Sequence, residues 1–238
     1  MFANTLMTAV LAASASLVSA ASIPISIRAA AAAAAAPAAG KAGSASMTPH
    51  DAYSSSIGVL GCKIDINRVA YWPPAVDCND ICVRVTHAGR NVTLLRIDQS
   101  GGAHDISYDA WNYLTSGKSA TESPQMGGPV DMQWESVDAS QCADILDDGG
   151  KLPLSASNSI NFLSSCLAQP DSYVAKNHVL YNILNPACTW GVDETCTLDL
   201  AVSNQPSCPG TLGLTTALVN HPVTNIAYGT GKTSVATQ

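Results

Sequence analysis

The 238-residue sequence predicts a mainly β fold carrying a disulfide-linked, irregular C-terminal appendage, on three observations. Short segments at Cys82–Thr86, Val92–Ile97 and Val130–Val137 alternate apolar and polar residues, the period of a half-buried strand. Helical spacing is confined to a few short stretches. All eight cysteines lie beyond residue 60, an even number suited to a disulfide framework in an oxidising compartment. The length allows one generous domain or a domain with an appendage. Eleven Lys and Arg against eighteen Asp and Glu, a net charge of -7 and no basic run argue against a nucleic-acid or anionic-membrane surface.

Taken in order, residues 1–20 hold no charged side chain, and an apolar run from Leu6 to Val18 ends in Val18-Ser19-Ala20. This reads as a signal peptide cleaved after Ala20. Residues 21–56 are rich in Ala, Ser, Pro and Gly, with eight consecutive alanines from Ala29 to Ala36, and are expected to form a disordered leader with order beginning near Ile57. Residues 57–142 form the β domain. Within it the strand Cys82–Thr86, the turn His87-Ala88-Gly89-Arg90 and the strand Val92–Ile97 make a hairpin. Ser107 is placed to cap a short helix through Asp109, Trp111 and Leu114. In the strand about Val130 to Val137, Val130, Met132 and Trp134 share one face.

Residues 143–238 form a cysteine-rich extension packed on the β domain, with a helix over Ile160–Leu167 and strand candidates at Tyr181–Leu184 and Leu198–Val202. The residues after Asn225 are expected to fray. No segment after the leader has the run of apolar residues that a membrane span requires. Four disulfides are expected among Cys62, Cys78, Cys82, Cys142, Cys166, Cys188, Cys196 and Cys208, in a connectivity that spacing alone leaves open. No metal or cofactor site is expected: no CxxC pair is present, and the histidines lack ligand spacing. Asn91-Val92-Thr93 is a glycosylation acceptor that should lie at the surface near a turn.

The stretch Cys82-Val83-Arg84-Val85-Thr86, followed by "RIDQSGGAHDISYDAWNYL" and then "MQWESVD", resembles the double-psi β-barrel family, with barwin and the N-terminal domain of expansins as relatives. The resemblance spans Ile57 to Cys142 and implies a six-stranded double-psi-like barrel. Ser100 stands where the family commonly has a cysteine, so the family's disulfide pattern is not transferred. The part after Cys142 does not resemble the second domain of expansins. The alanine-rich leader and cysteine spacing also look like those of small secreted fungal proteins, including effectors. The resemblance further links Asp105 with the acid of related endoglucanases, while expansins keep that residue without appreciable hydrolysis.

Asp98 and Asp105 are the candidate catalytic carboxylates, because they flank Gly101-Gly102 and glycoside hydrolysis uses one protonated and one ionised carboxyl group. The plain alternative is that Asp98 accepts amides from the glycine turn and Asp105 caps the helix that follows. His104 adjoins Asp105 and could tune it or bond a sugar, or be a solvated loop residue. Tyr71 and Trp72, before Pro73-Pro74, are expected in an exposed loop where flat rings would meet a sugar, whereas Trp111 and Trp134 are expected in the core. "GTGKTS" at Gly229–Ser234 is not a phosphate-binding loop, since Ile226 occupies the required glycine position. Ser155, Ser157 and Ser159 form no nucleophile elbow, and Asp147-Asp148-Gly149-Gly150 reads as a turn.

The expected protein is a secreted extracellular monomer that binds cell-wall polysaccharide or a host surface without catalysis. A glycan-cleaving hydrolase using Asp105 and Asp98 is the first alternative. A cysteine-rich protein acting on a protein partner is the second.

Overall fold

The computed structural model describes residues 41–237, so the expected signal peptide and the alanine-rich part of the expected leader lie outside the described residues. Six strands close into a barrel: β1 (Ala42–His50), β2 (Val69–Trp72), β3 (Cys82–His87), β4 (Arg90–Gln99), β5 (His104–Ser107) and β6 (Val130–Ser136). Their order around the barrel is β1-β5-β2-β4-β3-β6. β1 runs parallel to β5 and β2 parallel to β4, while the other neighbours are antiparallel. The mainly β architecture with a closed six-stranded barrel expected from the sequence is the one found.

The β3–β4 hairpin turns on Ala88 and Gly89, at φ 48° and 76°, the pair of left-handed residues that a two-residue hairpin loop requires to match strand twist. Asn91 is exposed two residues beyond this turn. Helix α1 (Tyr108–Ser116) follows β5 and ends at Gly117, whose φ of 82° lets its amide reach the Tyr113 carbonyl. Ser107 stands at the helix start, but its hydroxyl donates to the Asn67 carbonyl instead of capping the helix.

The first boundary expected from the sequence is corrected by β1. Residues 42–50 are no leader: they form a central strand paired on both sides. Its small residues fit their place, since a Cβ on Gly43 would already lie 3.4 Å from the Trp134 indole. The barrel interior is filled by Met47, Ala70, Trp72, Val83, Val85, Leu94, Ile106 and Met132, with α1 contributing Trp111 and Leu114.

A second core lies outside the barrel wall. Val69, Leu95 and Ile97 pack there against Leu152, Leu154, Leu163 and Leu180 of the C-terminal half. That half contains a sheet ordered β7-β8-β9, formed by β7 (Leu152–Ser155), β8 (His178–Ile183) and β9 (Gly191–Cys196). Helices α2 (Ile160–Leu167) and α3 (Tyr173–Lys176) make the crossover between parallel β7 and β8. The strand expected at Leu198–Val202 is instead a turn, with the Val202 and Ser203 amides bonded to the Asp199 carbonyl.

All eight cysteines are paired, as Cys62–Cys188, Cys78–Cys166, Cys82–Cys142 and Cys196–Cys208. The first two bind the barrel segment to the C-terminal half. The tail expected to fray is ordered: β10 (Thr224–Ile226) and β11 (Thr233–Val235) form a hairpin, and Ala236 is buried. Asn225 accepts the Tyr53 amide, and the Tyr228 hydroxyl donates to the Gly127 carbonyl. No helix among the described residues is long and apolar enough to cross a membrane.

Candidate functional site

The strand register brings four polar residues into one row across four neighbouring strands. Thr48 of β1 pairs with Asp105 of β5, Asp105 with Tyr71 of β2, and Tyr71 with Asp98 of β4. A bulge between Ala70 and Tyr71 is what sets Asp98 opposite Tyr71. The two candidate carboxylates therefore do share a face, but they are two strands apart, about 9 to 10 Å along the sheet. Each is held by a hydroxyl: Thr48 donates to Asp105, and Ser54 donates to Asp98 at 2.6 Å. Asp98 also accepts the Gln99 amide at 2.8 Å. Asp105 does not cap α1, and Asp98 does not accept from the glycine turn.

Tyr71 stands between the carboxylates and is buried, at 4% exposure. Burial, with the nearby charges of Asp98 and Asp105, pushes its hydroxyl pKa well above the ordinary phenol value, although a backbone bond at Ser54 opposes this. Tyr53 is raised in the same way, by burial first and then by Tyr71 and Asp98. The His50 ring lies 4.4 Å from that of Tyr71. Three successive serines fasten the segment after β1 onto β4: Ser54 to Asp98, Ser55 to the Ile97 carbonyl, and Ser56 accepting the Gln99 amide. The sequence reading missed Thr48, His50 and these serines because it placed them in the leader. The alternation of small residues before Met47 and the serine triplet were the available signals.

Tyr71 and Trp72 are not an exposed aromatic loop. Both belong to β2, and Trp72, at 2% exposure, plugs one end of the barrel. Its ring meets Trp134 edge-on at 5.0 Å and His104 at 5.1 Å, with the Arg96 guanidinium 5.5 Å from its centre. Trp111 is buried as expected, whereas Trp134 is only half-buried and, with half-buried His104, forms the rim of this mouth. Gly101 and Gly102 are exposed beside it, and nothing lies within 4 Å of a Cβ built on either. Burial, and next the Arg96 charge, hold the His104 imidazole below its usual pKa, while Asp105 pulls it upward.

The sign of this shift defines a pH dependence. A histidine depressed on folding binds protons more readily when unfolded, so its contribution is complete above the ordinary imidazole pKa of about 6.5 and is lost as pH falls through the folded value. His104→Gln is expected to flatten that part of the stability profile, measured as the urea midpoint at a series of pH values between about 7.5 and 4.5. An unchanged slope in the variant would remove His104 from the explanation.

No family model matches the chain, and no curated protein matches it. Two solved structures are similar over less than half of it. Cerato-platanin 3 from M. perniciosa is 14% identical with a TM-score of 0.32, covering 42% of this chain and 98% of its own. The fungal elicitor cerato-platanin is 20% identical with a TM-score of 0.30, covering 46% of this chain and 100% of its own.

Proposed function

We propose that the chain is a secreted extracellular protein whose Trp72-plugged barrel mouth binds a cell-wall polysaccharide without cleaving it. The observation that carries this reading is the rim made by Trp134 and His104 beside the side-chain-free loop Gly101-Gly102. A half-buried indole backed by a fully packed one is a rigid flat surface for the apolar CH face of a sugar ring. Exposed Gln99, opposite Trp72 in the strand register, supplies a polar group at the margin, whereas Asp105 points to the outer barrel face with Tyr71. Against cleavage, the buried Tyr71 occupies the place between Asp98 and Asp105 where a glycosidic oxygen would have to sit, and each carboxylate is already tied to a hydroxyl.

Sedimentation with insoluble cellulose, chitin and wall glucan tests the reading. Wild type should partition with at least one of them, and Trp134→Ala should weaken that affinity about tenfold, the loss of one stacking surface worth roughly 1 to 1.5 kcal/mol. Wild type remaining in the supernatant with every polymer would refute it. The presence of both carboxylates in one row favours hydrolysis as the second reading, which requires release of reducing sugar that Asp105→Asn abolishes in a folded protein. Asn91, exposed at the hairpin end, is proposed as the glycan attachment site.

A further inference from the structure

A groove of about 450 Å³ lies between the segment Gly61–Asn67 and the loop Asn220–Thr224, away from the barrel mouth. Its volume falls within the range of about 300 to 1,000 Å³ typical of small-molecule sites. Its rim is built by close packing. A Cβ on Gly61 would stand 2.7 Å from the Tyr53 ring and 2.9 Å from Val223, so the glycine lets buried Val223 anchor the 220–224 loop against the barrel side. The side chains of Asn67, Asn220 and His221 line the groove, and no described residue hydrogen-bonds them. Asp65 adds a carboxylate that spends one oxygen on the Asn67 amide. Ile66 and Pro222 supply apolar surface.

The groove continues in two directions. Asn220 and His221 also line a smaller cavity of about 80 Å³ beside Asp193 and the Cys62–Cys188 disulfide. Ile66 and Asn67 also line a narrow cavity of about 20 Å³ that leads to Tyr71 and His50. The three cavities thus share lining residues in a series from the polar row of the barrel wall to the C-terminal half. No lysine or arginine lines any of them, and Asp51, Asp65, Asp109 and Asp193 do. Lys63 and Arg68 nearby are already paired with Asp193 and Asp109.

We infer that this groove is a second glycan-binding site, taking an uncharged or amino-sugar oligomer and rejecting a polyuronate. Two amides, an imidazole and a carboxylate free to bond solvent are the donor and acceptor set that vicinal hydroxyls and amino groups match. Aliphatic Ile66 and Pro222 serve the CH faces. Asp51 and Asp65, which carry no ion pair among the described residues, repel uronate groups, and no free cation on the lining attracts them. The inference rests on the reading of the chain as a glycan binder, but not on the mouth being where it binds.

Calorimetric titration of the secreted full chain with cello-oligosaccharide, chito-oligosaccharide and oligogalacturonate decides it, using Asn220→Ala/His221→Ala and Trp134→Ala beside wild type. Both groove residues are exposed, so the double variant should keep its thermal midpoint. The expected result is binding of a neutral or amino-sugar oligomer at two sites per chain and none of oligogalacturonate. The groove variant should lose one site or weaken it about tenfold, the effect of removing two hydrogen-bonding groups, and Trp134→Ala should leave that site intact. Unchanged titration in the groove variant, with binding lost in Trp134→Ala, would overturn the groove and leave the mouth standing. Loss only in the groove variant would do the reverse. Equal affinity for oligogalacturonate, or no glycan bound by wild type, overturns the inference.

Discussion

Arg96→Ala is expected to destabilise the fold by about 3 to 5 kcal/mol, the cost of leaving the Asp80 and Pro74 carbonyls without their donors at about 1 to 3 kcal/mol each. Arg96 is 4% exposed at the plugged end of the barrel. One nitrogen donates to the Asp80 carbonyl at 2.9 Å and lies 3.5 Å from the Asp80 carboxylate. The other terminal nitrogen donates to the Pro74 carbonyl at 3.1 Å. The side chain thus organises the whole β2–β3 connection from inside, while its guanidinium lies over Trp72. Truncation strands those carbonyls, while the Asp80 carboxylate keeps, among the described residues, only the exposed Lys41 ammonium at 3.4 Å. Arg96→Lys should recover little, because a single ammonium cannot reproduce the fork. Urea unfolding gives the measurement, and a loss below about 1 kcal/mol for Arg96→Ala would mean that water replaces the guanidinium without cost.

The second large effect concerns the disulfide Cys78–Cys166. Replacing both residues by alanine is expected to cost about 3 to 4 kcal/mol. The sequence separation of 88 residues overstates the loop being closed, because Cys82–Cys142 lies inside it and already shortens the free chain. The bond joins the same β2–β3 connection to α2, whose buried Leu163 belongs to the outer core. Its loss should therefore loosen the C-terminal half while the barrel interior stays packed. Hydrogen exchange should show the β7–β9 amides losing protection before those of β3 and β4. Uniform loss of protection across both would contradict this separation.

The two effects meet at one place. Residues 73–81 are clamped by Arg96 from within the barrel and by Cys78–Cys166 from without, and this stretch carries the Trp72 plug into position. The mouth proposed to bind glycan is thus supported by groups that never touch the ligand. Trp134 and His104 are its half-buried rim, while Trp72 and Arg96 are its rigid backing.

Much of this was legible in the chain. The hairpin through Cys82 and Ile97, the strand from Val130 and the helix Ile160–Leu167 were found where local periodicity placed them, since each buries one face whose spacing reports its own conformation. An even set of cysteines implied four bridges, and four are present. The alternation of small residues before Met47 was too weak a local signal to mark Ala42–His50 as a barrel strand. Its inward residues are small because Trp134 fills the space opposite Gly43, and smallness in sequence is the same signal as disorder. Nor could local signals show that Tyr71 and Trp72 are buried, because the adjoining prolines mark a loop that begins one residue later.

The sequence by itself determined the β class, the local elements, the acidic balance and the number of cross-links, all of which depend on residue type and short-range order. Tertiary structure alone decided which cysteines pair, which aromatic ring reaches the surface, and that Thr48, Asp105, Tyr71 and Asp98 fall in one row. The row depends on strand register between segments as much as 57 residues apart, with one bulge between Ala70 and Tyr71 shifting the pairing by a residue. A side chain's partners are set by that register, and no window along the chain contains it.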